Sequence, residues 1–260
     1  MATYNKRGYK QKKKEADVST EDETIDVGES TTAEVFNTLD EGANKAEEFV
    51  EKNQKYIFVI IGVVAAIVLG YLAYQQFVTK PAQEEASNNM YQAQKYFNEA
   101  VNATSKDSLY TLALNGGNGK QGFVDIANQY SGTKAGNLAN AYAGLAYLNI
   151  KDYKNAEAYL LKFKGEDEIV APMVKGALGD LYAQLEQKED AFFAYKEAAN
   201  LKSNSFSTPV YLYKAGITAL DLGKGKEALD LFKQLKDNYP TSTEATKSEV
   251  FIGKAQAMSN

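Results

Sequence analysis

The residues best spaced to do chemistry lie in "LNGGNGKQGF", where Gly117-x-Gly119-x-x-Gly122 has the spacing of a dinucleotide fingerprint. In such a loop the glycines let backbone amides approach a pyrophosphate and aim a helix N-terminus at its charge. The fingerprint also needs a carboxylate about 20 positions on to hold a ribose. Between Asp125 and Asp152 the chain has no Asp or Glu at all. A triphosphate-binding loop fails as well, since Leu114 stands where its first glycine belongs and Gln121 where its Ser or Thr belongs. The stretch is therefore expected to be the end of one helix, "SLYTLAL", a stop and turn, "NGGNGKQG", and a partner helix, "FVDIANQY".

Other chemistry is thin. The chain has no Cys and no His, which removes the thiolate nucleophile, the usual neutral-pH acid or base, and most transition-metal ligand sets. Paired carboxylates occur in "GEDE", Gly165 to Glu168, but they fall in an expected loop between helices, where a solvated turn is the simpler role than a general acid/base pair. No Ser, Lys or Tyr sits in a recognisable nucleophile setting. The expectation is a protein with no catalytic, cofactor or metal site. A net charge of -5 in 260 residues is mild and argues against nucleic acid as a partner.

The elements that surround these residues define the class. Residues 1–30 open with a basic block, Lys6, Arg7, Lys10, Lys12, Lys13 and Lys14. An acidic block follows, Glu15, Asp17, Glu21, Asp22, Glu23, Asp26 and Glu29. With almost no large aliphatics this tail cannot bury enough surface to offset chain entropy, and it is expected to be disordered. From Thr31 to Lys55, Val35, Leu39, Ala43, Ala46 and Val50 recur at helical spacing, and Thr31 with Glu34 fits a capping box. An amphipathic helix is expected there, lying on a bilayer surface or docking a partner.

"YIFVIIGVVAAIVLGYLAYQQFV", Tyr56 to Val78, has no charge between Lys55 and Lys80. As a helix these residues reach roughly 35 Å, against a hydrocarbon core of about 30 Å. The run begins too deep and is too long for a cleaved signal peptide, so residues 56–79 are expected to be an uncleaved transmembrane helix. Nine Lys and Arg precede it, which places the N-terminus in the cytoplasm and the C-terminal domain across the membrane. Gly62, Ala66 and Gly70 are spaced by four, a small-residue face on which another helix could pack.

A repeat occupies the C-terminal half. Gly144, Gly179, Gly216 and Gly253 fall at intervals of 35, 37 and 37, and Ala156, Ala191 and Ala228 follow the first three by 12. Four residues beyond each Ala comes a large side chain, Leu160, Tyr195 or Phe232, and Tyr147, Tyr182 and Ala219 lie three after each Gly. This is the pattern of a repeated helix pair, with Gly and Ala at close approaches and large residues in the wider gaps. Pro172 and Pro209 each precede a repeat Gly by seven, at the expected first turn of a first helix, with Thr208 as a ready N-cap. Pro240 follows the third pair. Met90, Ala93, Tyr96, Phe97 and Ala100 mark a further helix within residues 82–134 that would begin the array, and "TEATKSEVFIGKAQAM" would close it. The fold expected is all-α.

The repeat resembles the tetratricopeptide family, whose Gly, aromatic, Ala, aromatic and Pro columns residues 135–258 follow. Departures are the missing Trp, Ala219 for an aromatic and Leu160 for an aromatic. The whole arrangement of tail, span and repeat domain is similar to the ancillary subunits of the Sec translocon. The runs "TAEVFNTLDE", "NQKYIF", "AQKYFNEA" and "GTKAGNLANAYAG" look like members from the Bacteroidetes. The long tail departs from shorter-tailed proteobacterial members.

The resemblance implies a single-pass protein of the inner membrane with a periplasmic repeat domain. Its implied partners are translocon subunits, periplasmic chaperones or newly translocated clients, and the bilayer. It implies that inner-face side chains of each first helix line a binding groove: Leu138, Leu145 and Leu148, then Met173, Asp180 and Gln184, then Val210, Tyr213, Ile217 and Asp221. An aliphatic groove of this kind suits unfolded chains better than an acidic tail, which would need a Lys/Arg clamp that these positions lack. The alternative is a scaffold of another envelope assembly, for cell-wall synthesis or secretion, in which the groove is incidental.

Overall fold

The computed structural model describes the backbone of residues 31–165 and 167–259, and the side chains of residues 47–165 and 167–259. The expected disordered tail, the Thr31 and Glu34 capping box and Glu166 lie outside these. Among the described residues the protein is all-helical, with one isolated bridge and no strand. The chain divides into two units, Met1–Ile67 and Val68–Asn260.

Helix α1, Thr31–Tyr74, covers the expected juxtamembrane helix and most of the expected span in one piece of 44 residues. A short π-helical turn, Gln75–Thr79, follows it. Most of the apolar side chains of this run, among them Ile60, Ile61, Ile67 and Leu69, are more than half exposed. The run contains an 18-residue window of mean hydropathy 2.6, none of which is buried against protein. Each large aliphatic left in water forfeits about 1.5–3 kcal/mol of burial. Among the described residues this is one helix long and apolar enough to cross a membrane.

The second unit is built from α2 (Lys80–Asn102), α3 (Asp107–Asn115), α4 (Phe123–Gln129), α5 (Lys134–Asn149), α6 (Tyr153–Lys162), α7 (Val170–Gln184), α8 (Lys188–Leu201), α9 (Thr208–Asp221), α10 (Gly225–Asn238) and α11 (Thr243–Ser259). From α6 onward each helix packs chiefly against its neighbours in sequence, with α7 also touching α5 and α9 touching α11, while α5 also packs on α2 and α3. Three turns of identical construction fold α5 onto α6, α7 onto α8 and α9 onto α10. Lys151, Glu186 and Gly223 stand in the left-handed region at φ of 62, 60 and 75°. The next amides, of Asp152, Gln187 and Lys224, donate to the carbonyls of Tyr147, Tyr182 and Ala219 at 2.9, 2.9 and 2.8 Å. This is the helix stop in which a left-handed residue lets two amides satisfy carbonyls of the final turn. Only the third turn uses glycine, so the first two carry the left-handed penalty of a side chain, about 1 kcal/mol each.

The repeat columns take their meaning from the pairs. A Cβ added at Gly144 would lie 2.6 Å from Leu160 Cγ, one at Gly179 2.5 Å from Tyr195 Cδ1, and one at Gly216 2.5 Å from Phe232 Cε1. Ala156, Ala191 and Ala228 are fully buried. Gly253 departs from its column: it sits in α11 with nothing within 4 Å of an added Cβ. No close approach among the described residues requires a glycine there.

Pro172 and Pro209 occupy the first turns of α7 and α9, where an amide proton has no intrahelical acceptor. Thr208 is not the N-cap of α9. Ser207 holds that place, and Thr208 lies inside the first turn, where its Oγ1 accepts from the amide of Asn204 at 2.9 Å.

The N-terminal part of the unit has its own aromatic core. Phe97 meets Tyr110, Phe123 and Tyr142 edge-on at 5.3, 6.2 and 5.2 Å, and Phe123 stacks on Tyr142 at 4.9 Å. Met90, Tyr110, Leu114 and Ile126 are buried around them.

Candidate functional site

The Gly-rich stretch between α3 and α4 is a closed hairpin turn. Gly116 ends α3 at φ 84°, and Asn118 and Gly119 are left-handed at 54 and 72°. The amide of Gly116 donates to Leu112 O at 2.8 Å, and Gly117 and Lys120 exchange backbone bonds of 3.2 and 3.0 Å. The space in front of Gly116 and Gly122 is filled by the carbonyls of Lys120 and Leu114, each 2.1 Å from an added Cβ. The amides of Gly116, Gly117 and Lys120 are thus taken by the chain itself and are not free to meet a phosphate. In "GEDE", Asp167 Oδ1 accepts from the amides of Ile169 and Val170 at the start of α7, a capping role. Among the described residues no group of three or more His, Cys, Asp or Glu could hold a metal ion.

The inner-face row is different in kind. A groove of about 650 Å³ brings together Leu145 and Leu148 of α5 with Met173, Asp180 and Gln184 of α7. All five had been expected there. The same groove is lined by Asn149, Lys151, Tyr153, Tyr195, Tyr211 and Lys214, which are not among the expected groove positions. Tyr211 is there because Gly176 has no side chain: a Cβ at Gly176 would lie 2.0 Å from Tyr211 Cε1. Gly176 with Tyr211, 35 positions on, is the one signal in the sequence that could have found this wall. Lys151 and Lys214 give the groove two cations, where the ten aligned positions hold none.

The other expected groove residues lie elsewhere. Leu138 packs against the cores on both sides of α5. Val210, Tyr213 and Ile217 pack on the core of α8 to α11, and Tyr213 meets Phe251 of α11 edge-on at 5.9 Å. Of these, Tyr213 is engaged by the closing helix. Asp221, the last residue of α9, is exposed and does not line the groove. Gly62, Ala66 and Gly70 are exposed in α1, and a Cβ at Gly62 or Gly70 would meet nothing within 4 Å.

Asp180 organises the polar side of the groove. Its Oδ1 accepts from Tyr195 Oη at 2.7 Å and from Lys214 Nζ at 2.5 Å, tying α7 to α8 and α9. Lys214 also stands 5.5 Å over the Tyr195 ring. Burial, then the charge of Asp180, pushes the Tyr211 hydroxyl up to about 12, and the same causes push Tyr195 higher still. Beside the groove Tyr182 donates to Glu157 at 3.0 Å, and burial, then that bond, raises it to about 12. These hydroxyls are neutral donors across the physiological range. The groove thus offers an aliphatic floor, an aromatic wall and one internally neutralised ion pair. An open concave surface with a few convergent polar groups is the default place to look for a bound ligand.

Compared with protein-family models, with curated proteins and with solved structures, the chain matches none.

Proposed function

We propose that this protein is a non-enzymatic, membrane-anchored binding module whose helix pairs are of the tetratricopeptide type. Its groove captures apolar segments of other proteins. The observation that carries the reading is the uncovered floor of Leu145, Leu148 and Met173, open to solvent beside three tyrosines. An aliphatic floor rimmed by hydrogen-bonding groups is the surface on which apolar peptide segments are held. The sequence resemblance supplies the setting. The span Tyr56 to Val78 anchors the module in an inner membrane, N-terminus in the cytoplasm, as an accessory subunit of the Sec translocon. The partners are newly translocated chains or periplasmic chaperones at the groove, and translocon subunits at the Gly62, Ala66, Gly70 face.

The test is photo-crosslinking in cells from Met173 and Gln184 in the groove and from Ala66 in the span, with products identified by mass spectrometry. Translocon subunits from position 66 and unfolded clients or chaperones from positions 173 and 184 are expected. Products confined to cell-wall or other secretion machinery would replace the reading with a scaffold in that assembly.

A further inference from the structure

The loops of the second unit form two sets, and they differ in chemistry. Ile150–Asp152, Leu185–Gln187 and Leu222–Lys224 are three-residue turns in which Leu185 is the sole exposed large apolar side chain. The connections at the other helix ends are longer, and although mostly polar they are flanked by exposed apolar side chains. Leu161 at the end of α6 is 57% exposed, Ile169 before α7 43%, Leu201 at the end of α8 36%, and Phe206 before α9 66%. A chain of hydrogen bonds shows that this second set lies on the edge where the polypeptide leaves its apolar run. Gln83 stands five residues after Val78, and its Oε1 accepts from the amide of Ala135 at the start of α5, at 3.1 Å. Asn137, one turn into α5, exchanges bonds of 2.6 and 2.8 Å with the backbone of Lys164. Asn204 then donates to Glu168 O at 2.8 Å, joining the loop before α7 to the loop before α9.

We propose that this edge, with Leu161, Ile169, Leu201 and Phe206, lies in the interface of the bilayer that holds the apolar helix. The proposal rests on that helix spanning a membrane. Two observations single out lipid as the occupant. The hydrogen-bonded edge begins at Gln83, five residues after Val78 ends the apolar run. Exposed Lys80, Lys134, Lys162, Lys164 and Lys202 are distributed along the same edge. Of the neighbouring acids, Asp167 is turned onto the amides of Ile169 and Val170, while Glu84, Glu85 and Glu168 are exposed. Scattered aromatic and aliphatic side chains among lysines suit the boundary between anionic headgroups and acyl chains, where rings and chain stems bury and charges remain wet.

The chain contains no tryptophan, so single substitutions report single positions. Leu161→Trp, Phe206→Trp, Leu185→Trp and Leu69→Trp, each in the full-length protein, would be reconstituted in phosphatidylethanolamine/phosphatidylglycerol vesicles with brominated acyl chains. Leu69→Trp should be strongly quenched, and Leu161→Trp and Phe206→Trp at least about twofold more than Leu185→Trp, since interfacial side chains reach the acyl boundary. Quenching at 69 with positions 161 and 206 no different from 185 would overturn the docking proposal alone. Absence of quenching at 69 would overturn the membrane span and the proposal together. Vesicles lacking phosphatidylglycerol should weaken quenching at 161 and 206, and no change would remove the lysines from the explanation.

Discussion

Two glycines that align in the repeat should respond to alanine with opposite signs. At Gly144 an added methyl would sit 2.6 Å from Leu160 Cγ and 2.9 Å from the backbone nitrogen of the same residue. Leu160 is only 1% exposed, so the side chain has nowhere to turn and α5 must part from α6. Overpacking of this kind costs about 1–3 kcal/mol, and the better helix propensity of Ala returns about 1 kcal/mol. Because a backbone atom is involved, the net is taken in the upper part of that range, a loss of about 1–2 kcal/mol. At Gly253 nothing lies within 4 Å, so only the propensity gain of about 0.5–1 kcal/mol operates. For a unit of this size 1 kcal/mol moves Tm by about 2–4 °C. Gly144→Ala is then expected to melt about 2–8 °C lower than wild type and Gly253→Ala about 1–4 °C higher. Thermal unfolding of the full-length protein in mild detergent, followed by far-ultraviolet circular dichroism, measures both. Equal shifts of the same sign would refute the claim that the Gly columns record helix contact rather than helix composition.

Glu186→Gly and Lys151→Gly should each stabilise the protein by about 1 kcal/mol, because glycine removes the left-handed penalty that Gly223 already avoids. Chemical denaturation of each variant checks this, and a loss of stability would show that the side chains carry contacts worth more than the strain. At high pH the buried tyrosines should destabilise the fold. Tyr182 and Tyr211 titrate near 12 in the folded protein against an ordinary 10.0, so the unfolded chain sheds protons first. Stability present below pH 10 is lost as pH rises toward 12. Asp180→Asn should lower the folded pKa of Tyr211 toward its ordinary value, seen as an earlier rise in tyrosinate absorbance. An unchanged titration would place the cause of the shift in burial alone.

Much of the fold is legible in the residues because its periods are strong. The uncharged run from Tyr56 to Val78 and the Gly, Ala and large-residue columns each report a local constraint that recurs, so chance is averaged away. The Gly-rich turn could be read because a dinucleotide site needs a distant carboxylate that is missing. The groove was legible only in part. Leu145, Leu148, Met173, Asp180 and Gln184, on the faces that alignment picks out, line one groove. Tyr195, Tyr211 and Lys214 reach the groove from neighbouring helices, which depends on how pairs stack, and a single helix period carries no record of that. Tyr213 and Ile217 have the right face for a groove but pack on the core of α8 to α11, Tyr213 against Phe251. The left-handed turns at Lys151 and Glu186 escaped notice since neither residue type advertises the conformation.

The near-neighbour packing of α5 to α11 bears on how the chain is made. Contacts that join each helix to the next in sequence require little loop closure, so a pair can fold as soon as its own residues are synthesised. Gly144 meets Leu160 across a turn of three residues and needs nothing that follows. A protein assembled N-terminus first would thus add one pair at a time onto a finished surface, each new pair covering the apolar face left by the last. The step that ends exposure is the arrival of α11, whose Phe251 stacks at 6.2 Å on Phe232 and completes the final core. A chain cut short before residue 243 would leave that face bare, a degradation signal written in the same side chains that otherwise hold the array shut.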